Sequence, residues 1–353
     1  LFIRLIVEIE QNSQLSRKFL IVFTVLCNMA DKEFDKRDRL LIAALEENSR
    51  LSYRELGQKA GMSGAATEER IQKWLTNGFI IRLFAEPDPF ILGYRTARLY
   101  LKMEGFPSDV ERAFELEYSA KPTVQWFAIT QGKWNYIIRF IYHTETEFNH
   151  YVMELLSHYG KYVKEKDIVI THYQGQLPIT YFTQVQRYDI TTEKPTEKKE
   201  IDDIDRKILQ QLFENARAPT TQLAQEVGLS PDAIQYRIKQ LTKKGIIRRY
   251  TGWLDRRKLG YDYYKIFIWF HFITPEDEVS FLNYCTTHPN TVYINRVIGH
   301  WDLEVDVDVK GLEELDGVLK KMQNKFSRII RDYSFVAILR DYMPNPFASE
   351  AHG

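Results

Sequence analysis

Residues 229–250 read "LSPDAIQYRIKQLTKKGIIRRY", and this stretch carries the signals of one capped helix followed by an extended segment. Ser230 is of a residue type that caps helix N-termini, and Pro231 suits a first helical turn, where no amide hydrogen is needed. Apolar residues then recur at the spacing of one helix face: Ile234, Ile238 and Leu241. Gly245 ends the pattern, because glycine accepts the positive φ that stops a helix. The following "IIRRYTGWL" is predicted to be a hairpin strand.

Two further helices are predicted immediately before this one. The first carries apolar residues at helical spacing in "IDRKILQQLFENA", residues 204–216. The second is capped by Thr220 or Thr221 and ends at Gly228. A helix, a glycine turn, a capped helix and a strand in this order predict a winged helix-turn-helix.

The same design occurs earlier in the chain, at "MSGAATEERIQKWLTNGFIIRLF", residues 62–84. A shift of 167 positions aligns residues 38–94 with residues 205–261 without a gap. The same shift superposes three later residue pairs: Pro122 on Pro289, Gly132 on Gly299 and Trp134 on Trp301. The two copies are joined by "TTEKPTEKKE", residues 191–200, which has the composition of a solvated linker.

The remainder of each copy alternates strands and helices. In the second copy, "WDLEVDVDV", residues 301–309, alternates apolar and acidic residues, as in a strand with one covered face. The predicted order is strand–helix–strand–strand–helix–strand, over residues 264–272, 276–287, 291–298, 301–309, 312–326 and 331–340. This is the order of a ferredoxin-like module with a split βαβ unit.

The predicted fold class is therefore α+β, with two winged helix-turn-helix domains and two ferredoxin-like (βαββαβ) domains in tandem. The predicted boundaries are 31–94 and 202–261 for the winged domains, 95–188 and 262–342 for the ferredoxin-like domains, 189–201 for the linker and 343–353 for a tail. Residues 1–30 do not conform to this plan. Their apolar run, residues 19–27, is too short to span a bilayer. We interpret residues 1–28 as a start-site artefact, with a membrane tether as the alternative.

Composition narrows the function classes. The chain has 353 residues, of which 44% are hydrophobic and 27% are charged, as in a globular protein of more than one domain. Its formal net charge is zero, so a nucleic-acid site must be a local basic patch. Two cysteines exclude a disulfide framework and a multi-cysteine metal site, and they fit a reducing cytoplasm. We find no nucleophile–base constellation and no phosphate-binding loop, so neither catalysis nor a cofactor is expected.

The copies resemble the modules of a known family. Residues 204–261, "IDRKILQQLFENARAPTTQLAQEVGLSPDAIQYRIKQLTKKGIIRRYTGWLDRRKLGY", look like the DNA-binding half of the Lrp/AsnC (feast/famine) transcriptional regulators. The module after it resembles their RAM domain, whose glycine-turn motif here is Gly299-His300-Trp301-Asp302. "GKWNYIIRFIYHTETEFNHYVMELLSHYGKYVKEKDIVI", residues 132–170, resembles the tandem members found in archaea. The resemblance implies a cytoplasmic regulator that binds double-stranded DNA and whose paired RAM domains bind an amino-acid effector.

Charge distinguishes the two winged domains. Residues 230–251 hold six basic residues against one acid, whereas residues 63–84 hold three against two. Carboxylates at the start of a recognition helix, as in Glu68 and Glu69, would meet phosphates or base edges. We therefore predict that the second winged domain is the main DNA-binding domain. Its predicted contacts are Ser230, Gln235, Tyr236, Arg237, Lys239, Lys243, Lys244, Arg248 and Arg249, extended by Arg256, Arg257 and Lys258; the weaker candidates are Arg70, Lys73 and Arg82.

The sheets of the two RAM-like domains each have one face without helices, and the charges there predict how the domains meet. The first copy carries Arg98, Lys102 and Arg139 on that face, and the second carries Glu304, Asp306 and Asp308. Two acidic faces would repel each other, so unlike domains are predicted to pair, within one chain or reciprocally between two. The alternative is that the acids are solvated.

An effector pocket is predicted where these faces and the glycine turns meet. The candidates are Gly132, Asn135, Gly299, His300 and Asp302. Glycine permits close backbone approach, and the carboxylate of Asp302 suits an amino group. Trp134 and Trp301 either wall this pocket or pack in the core. His300 has no second ligand at metal-binding spacing nearby, so no metal site is expected.

A second family resembles the same two-module design, the sirohaem decarboxylases. In those enzymes histidine and basic residues in the cleft between modules handle the carboxylates of a tetrapyrrole. The residues of this chain that would take such roles are His143, His172, His271, Arg296 and His300. The glycine turn and the basic second winged domain favour the regulators, so we expect a protein that is not an enzyme.

Overall fold

The computed structural model describes residues 34–177, 189–191 and 198–348. The start-site interpretation of residues 1–28 falls outside these ranges, and so do residues 192–197 of the predicted linker. No helix within them combines the length and the apolar composition that a transmembrane span needs.

The first copy has the predicted order of elements. Its winged unit consists of α1 (Lys36–Asn48), α2 (Tyr53–Ala60), α3 (Gly64–Thr76) and β1 (Ile80–Pro87). Its ferredoxin-like module consists of β2 (Arg95–Met103), α4 (Ser108–Ala120), β3 (Val124–Gly132), β4 (Tyr136–Tyr142), α5 (Glu145–Tyr159) and β5 (Val163–Gln176). A short strand, β6 (Asp189–Thr191), follows.

The second copy repeats this order. Its winged unit consists of α6 (Asp203–Glu214), α7 (Thr220–Val227), α8 (Pro231–Lys243) and β7 (Ile247–Leu254). Its ferredoxin-like module consists of β8 (Asp262–Phe270), α9 (Pro275–Thr287), β9 (Thr291–Ile298), β10 (Leu303–Val309), α10 (Leu312–Lys325) and β11 (Ile330–Tyr342). The α+β class predicted from the sequence is confirmed.

Local signals account for the helix-turn-helix boundaries. The hydroxyl of Ser230 accepts a hydrogen bond from the Ala233 amide at 3.3 Å and so caps α8. The equivalent Ser63 caps α3 through the Ala66 amide at 3.2 Å. Gly228 ends α7 with a φ of 72°, in the left-handed region that glycine adopts without strain. These short-range features fix where each recognition helix begins.

The wing strands differ from the prediction. β1 and β7 pair antiparallel with each other, across the two copies, and Glu86 lies opposite Arg249 in their register. We call this two-stranded pair the wing ribbon. The hairpins predicted within each winged unit are wrong, because each strand finds the free backbone of the equivalent strand in the other copy.

The two winged units form one body through reciprocal contacts. The guanidinium of Arg217 donates to the carbonyls of Ser49 and Leu51 at 2.6 and 2.7 Å. Its equivalent in the first copy, Arg50, donates to the carbonyl of Ala216. Apolar residues of both units also contribute to a single hydrophobic core. Equivalent residues therefore hold equivalent places on either side of the wing ribbon.

The two ferredoxin-like modules close one antiparallel barrel of eight strands. The strands run in the order β5-β2-β4-β3 in the first module and β11-β8-β10-β9 in the second. β3 pairs with β11, and β9 pairs with β5, so each of these eight strands has a neighbour on both sides. Closure satisfies strand edges that would otherwise be free to pair with other chains.

The barrel has a covered outer side and a filled interior. α9 and α10 pack on the valine side of β10, which agrees with the predicted assignment of that face. The interior is filled by large side chains of both modules: Tyr100, Trp134, Phe267 and Trp301. Eight-stranded barrels are just wide enough for side chains to fill them.

The segment after the barrel packs on the winged body. Phe347 is only 4% exposed, and the side-chain amide of Asn345 donates to the Gln210 carbonyl at 3.0 Å. The prediction of a tail is wrong for residues 343–348, because these contacts bind the segment to α6.

Candidate DNA interface and charged barrel interior

α8 buries one face in the winged body and presents the other to solvent. The exposed members of the predicted interface are Ser230, Gln235, Tyr236, Lys239, Lys243 and Lys244. Tyr236 is 64% exposed, which is unusual for a large aromatic side chain in a folded protein. This face can contact a ligand without any rearrangement of the helix.

Arg237 does not belong to that exposed face. Its guanidinium lies 2.8 Å from both Asp202 and Asp205, and these contacts tie α8 to the start of α6. The equivalent arginine of the first copy, Arg70, contacts Asp38 in the same way. The prediction that Arg237 and Arg70 bind DNA is corrected, because both guanidinium groups already hold carboxylates of their own winged unit.

The arginines of the wing ribbon also face the protein. Arg248 and Arg249 contact the carboxylate of Glu86 at 2.9 and 2.5 Å. Burial raises the pKa of Glu86, but the two arginines outweigh burial and bring the pKa below its usual value. Arg82 donates to the Met343 carbonyl at 2.7 Å. Each of these three arginines is half-buried and contacts a protein group, so their predicted contacts with DNA remain a prediction.

α3 presents a different surface from α8. Lys73 is exposed, and so are Glu68 and Glu69. Once the paired arginines are set aside, the face of α8 carries three exposed lysines with one acid, Asp232. The face of α3 carries one exposed lysine with two acids. The charge difference between the two exposed helix faces is therefore smaller than the sequence predicts, but α8 remains the more basic of the two helices.

Buried charges join the two modules inside the barrel. Glu304 lies 3.3 Å from Arg98 of the first module and 3.2 Å from Lys265 of its own. Its carboxylate also accepts hydrogen bonds from the Trp301 indole at 3.1 Å and from the Tyr100 hydroxyl. Burial raises the pKa of Glu304, but Arg98 and Lys265 outweigh burial and lower the pKa to about 2. The carboxylate therefore stays ionised in a site shielded from water.

The other two acids of this face pair within their own copy. Asp306 lies 2.6 Å from Lys265, and Asp308 lies 2.9 Å from Arg256. The prediction that Asp306 and Asp308 pair with the first module is wrong, because a nearer cation of the second copy holds each of them. Arg256 is likewise not part of a DNA patch, since it points into the protein.

Two predicted pairing residues of the first copy lack an acidic partner among the described residues. Lys102 approaches the Gly132 carbonyl at 3.3 Å instead of the acids. Arg139 is 5% exposed, and its one hydrogen bond, to the Thr96 hydroxyl, is long at 3.5 Å. Burial first, and then the nearby charge of Arg98, lower the pKa of Arg139 well below its usual value. The predicted pairing of Lys102 and Arg139 with the acids is therefore wrong.

At each of the two glycine turns, a strand of the opposite module packs closely against the glycine. A Cβ atom at Gly299 would lie 2.7 Å from a methyl carbon of Val169 in β5. At Gly132, where φ is 136°, a Cβ atom would lie 3.2 Å from a methyl carbon of Val336 in β11. Both glycines therefore serve closure of the barrel, a role different from the predicted effector contact.

Asn135 and Asp302 play the same part in the two copies. The side-chain oxygen of Asn135 accepts from the Met103 amide, and that of Asp302 accepts from the Phe270 amide, each at 2.8 Å. A side-chain amide oxygen accepts this hydrogen bond as well as a carboxylate oxygen does, so asparagine in the first copy and aspartate in the second can fill the same role. His300 is about half exposed beside Asp167, at 3.5 Å. The predicted effector residues thus hold the ends of barrel strands.

A cavity of about 100 Å³ lies elsewhere, between the wing ribbon and the mouth of the barrel. Charged residues from both bodies line it, among them Glu86, Arg248, Arg98, Arg139, Lys265 and Asp341. The sequence analysis missed this site, because its walls come from segments of both copies that are far apart in the chain. The candidates for tetrapyrrole binding are not among the described residues that line it: His143, His172, His271, Arg296 and His300.

Comparisons with known proteins agree with this architecture. Residues 34–73 match the AsnC-type helix-turn-helix domain, and residues 201–248 match a winged helix-turn-helix DNA-binding domain. An uncharacterized HTH-type transcriptional regulator of Pyrococcus furiosus is 30% identical over 128 residues, which are 36% of this chain and 82% of that protein. The regulatory protein AsnC of Haemophilus influenzae is 28% identical over 148 residues, which are 41% of this chain and 98% of that protein.

A solved structure extends the likeness to most of the chain. The sirohaem decarboxylase NirDL aligns with 88% of this chain and 93% of its own, with a TM-score of 0.59 and 14% identity, so the two share a fold. The matched helix-turn-helix domains and the named relatives are those of regulators. The chain therefore belongs to the Lrp/AsnC family of DNA-binding transcriptional regulators, with two helix-turn-helix units.

Proposed function

We propose that this regulator reads DNA mainly through α8 and that α3 contributes weakly. The observation that carries the proposal is the charge of the two exposed helix faces: three lysines and one aspartate on α8 and its C-cap, against one lysine and two glutamates on α3. Duplex DNA carries a negative charge about every 1.7 Å along its axis, so lysines near it gain affinity by releasing counterions. Carboxylates at the same distance lose affinity by repulsion.

Position along α8 divides the roles. Gln235 and Tyr236 lie in the N-terminal half of α8, the part of a recognition helix that contacts base edges in the major groove, and Lys239 lies just past its middle on the same exposed face. The glutamine amide suits adenine, and the lysine ammonium suits guanine. Lys243 and Lys244 lie at the other end and suit phosphates, which fix the register without reading sequence. At the start of the helix, the hydroxyl of Ser230 accepts the capping hydrogen bond and can still donate its hydrogen to a phosphate.

The weaker role of α3 follows from the same reasoning. Glu68 and Glu69 occupy the positions equivalent to Gln235 and Tyr236. A carboxylate can accept from the amino group of cytosine, so α3 retains some capacity for base contact. Lys73 is then its one exposed cation to offset two acids. A site with one strong and one weak half is the expected DNA target.

A binding experiment on the full chain tests the asymmetry. The probe is a fluorescent duplex selected by the wild-type chain from a random library, and the measurement is its anisotropy. Lys243→Glu should raise Kd by about tenfold or more at low salt, because it removes a phosphate contact and adds repulsion. Lys73→Glu makes the same charge change on α3 and should raise Kd by about threefold or less.

A surface control completes the design. Lys320→Glu on α10 makes the same charge change at an exposed lysine that contacts Asp316, and we expect it to leave DNA affinity near that of wild type. Equal losses for the variants of α8 and α3 would refute the proposed asymmetry.

The alternative hypothesis, that the chain is a sirohaem decarboxylase, can be tested directly. The likeness to NirDL is one of fold, and the cavity of about 100 Å³ is far smaller than a tetrapyrrole. Incubation of the chain with sirohaem should therefore leave the absorption spectrum of the tetrapyrrole unchanged. A time-dependent spectral change with release of carbon dioxide would replace the regulator proposal with an enzyme.

A further inference from the structure

The charges around the cavity are unevenly matched. Three buried acids each hold a cation, in the pairs Glu304–Arg98, Asp306–Lys265 and Asp308–Arg256. Arg139 lines the same cavity, and no acid of the described chain lies within ion-pair distance of it. Of the other lining acids, Glu86 is held by Arg248 and Arg249, and Asp341 accepts a hydrogen bond from the Trp126 indole. Among the described cations that line the cavity, Arg139 is therefore the one without an ion-pair partner.

Arg139 lacks a partner because the charge at its position is reversed between the copies. Arg139 occupies the position in the first copy that Asp306 occupies in the second. Lys265 pairs with that aspartate, whereas its equivalent, Arg98, meets an arginine instead and pairs with Glu304 of the other module. The first copy thus brings two guanidinium groups to the cavity where the second copy has an ion pair.

These guanidinium groups have unused hydrogen-bond donors. The Nε atoms of Arg139 and Arg98 are buried and lack a hydrogen-bond partner among the described residues. Arginine stays protonated in proteins, so burial of Arg139 without a counter-ion leaves an uncompensated charge. An anion in the cavity would satisfy both the charge and the donors.

We propose that this cavity binds a small organic monocarboxylate through Arg139. A planar carboxylate matches the fork of a guanidinium group, and the single unpaired guanidinium group of Arg139 favours a ligand with one carboxylate. A cavity of 100 Å³ is smaller than the roughly 150 Å³ that takes up benzene, so the body of the carboxylate must be short and aliphatic. Phe84, Trp126 and Trp253 supply apolar walls for that body.

Calorimetric titration of the full chain tests the site without DNA, so its outcome is independent of the proposed role of α8. The probes are acetate and propionate, with propionamide as the uncharged control and inorganic phosphate as the alternative anion. At least one carboxylate should bind with a roughly millimolar or lower Kd. Arg139→Gln should raise that Kd by about tenfold or more, because a charge-assisted contact is lost.

Two further measurements separate lost binding from lost folding. Arg95→Gln removes an exposed arginine from the same module, one that contacts Glu145 at the surface, and should bind the carboxylate like wild type. Without ligand, Arg139→Gln should unfold at the same or a higher urea concentration than wild type, since it removes an uncompensated charge.

Several results would overturn the site. They are no heat from either carboxylate at about 10 mM, equal affinity for propionamide and propionate, heat with phosphate alone, or unchanged carboxylate binding in Arg139→Gln.

Discussion

Replacing Glu304 with glutamine should destabilise the barrel strongly. Glu304 is fully buried and contacts Arg98 at 3.3 Å and Lys265 at 3.2 Å. Glutamine keeps the size of the side chain and an acceptor for Trp301. It leaves Arg98 without a carboxylate partner, while Lys265 retains Asp306. Removal of one member of a buried ion pair typically costs about 3–5 kcal/mol of unfolding free energy.

Acid should remove part of the same stabilisation from the wild-type chain. The pKa of Glu304 falls from 4.5 to about 2 on folding, because Arg98 and Lys265 outweigh the effect of burial. That difference corresponds to about 3 kcal/mol of unfolding free energy. Since the folded pKa is the lower one, this contribution is fully present above pH 4.5 and is lost as the pH falls through about 2. Glu304→Gln lacks this contribution at every pH.

Urea unfolding followed by tryptophan fluorescence measures both effects, because Trp134 and Trp301 are buried inside the barrel. At pH 7, Glu304→Gln should unfold at a lower urea concentration than wild type. Between pH 5 and pH 3 its unfolding free energy should depend less on pH than that of wild type. Glu145→Gln, at an exposed ion pair with Arg95, is the control and should cost about 1 kcal/mol or less. Wild-type stability of Glu304→Gln at pH 7 would refute the proposed role of the buried network.

Further predictions concern DNA, the glycine turns, the winged body and the cavity. Lys243→Gln should reduce the slope of log Kd against log salt by about 0.9, measured by anisotropy; an unchanged slope would mean that Lys243 contacts no phosphate. Gly299→Ala should lower the urea midpoint by the equivalent of about 1–3 kcal/mol, because its Cβ would meet Val169 at 2.7 Å, whereas Gly317→Ala in α10 has open space and should raise the midpoint. Arg217→Ala should cost about 1–3 kcal/mol in the same assay, since the partly buried carbonyls of Ser49 and Leu51 lose their donor, and no change would argue against the reciprocal contacts. A carboxylate at 100 times its Kd should raise the unfolding free energy by about 2.7 kcal/mol in wild type and much less in Arg139→Gln.

The helices, their caps and the strand order could be predicted because their signals are local. Ser230 caps the start of α8 and Gly228 caps the end of α7, and both do so through hydrogen bonds to residues close in sequence. The alternation of apolar and acidic residues in β10 likewise requires only that one face of the strand is covered. The partner of each wing strand lies in the other copy, so no local pattern could distinguish a hairpin from the wing ribbon. Because the hairpin was predicted wrongly, the contacts of Arg248 and Arg249 with Glu86 were not foreseen. The sequence shows that these side chains are charged, but not which way each points from its strand.

One signal for the paired arginines was present in the sequence. Asp38 and Arg70 recur as Asp205 and Arg237, although the charges around them differ between the copies. An acid and a base retained together at the same spacing indicate an internal ion pair, which is what both winged units contain. The cavity had no such signal, because Arg139 and Asp306 differ in sign at equivalent positions and only the closed barrel brings them to one place.

Joining two copies in one chain explains which positions differ. In a symmetric pair of identical modules, a residue near the axis meets its own copy, so a charge there meets a like charge. Two copies on one chain can change independently. Positions where each copy contacts the other's backbone or core are the same in both: Arg50 and Arg217, Gly132 and Gly299, Trp134 and Trp301. Positions that face solvent or the cavity differ: Lys239 and Gln72, Lys243 and Thr76, Asp306 and Arg139. The shared contacts preserve one closed barrel and one winged body, and the differences create one basic recognition helix and one arginine in the cavity, Arg139, without an ion-pair partner among the described residues.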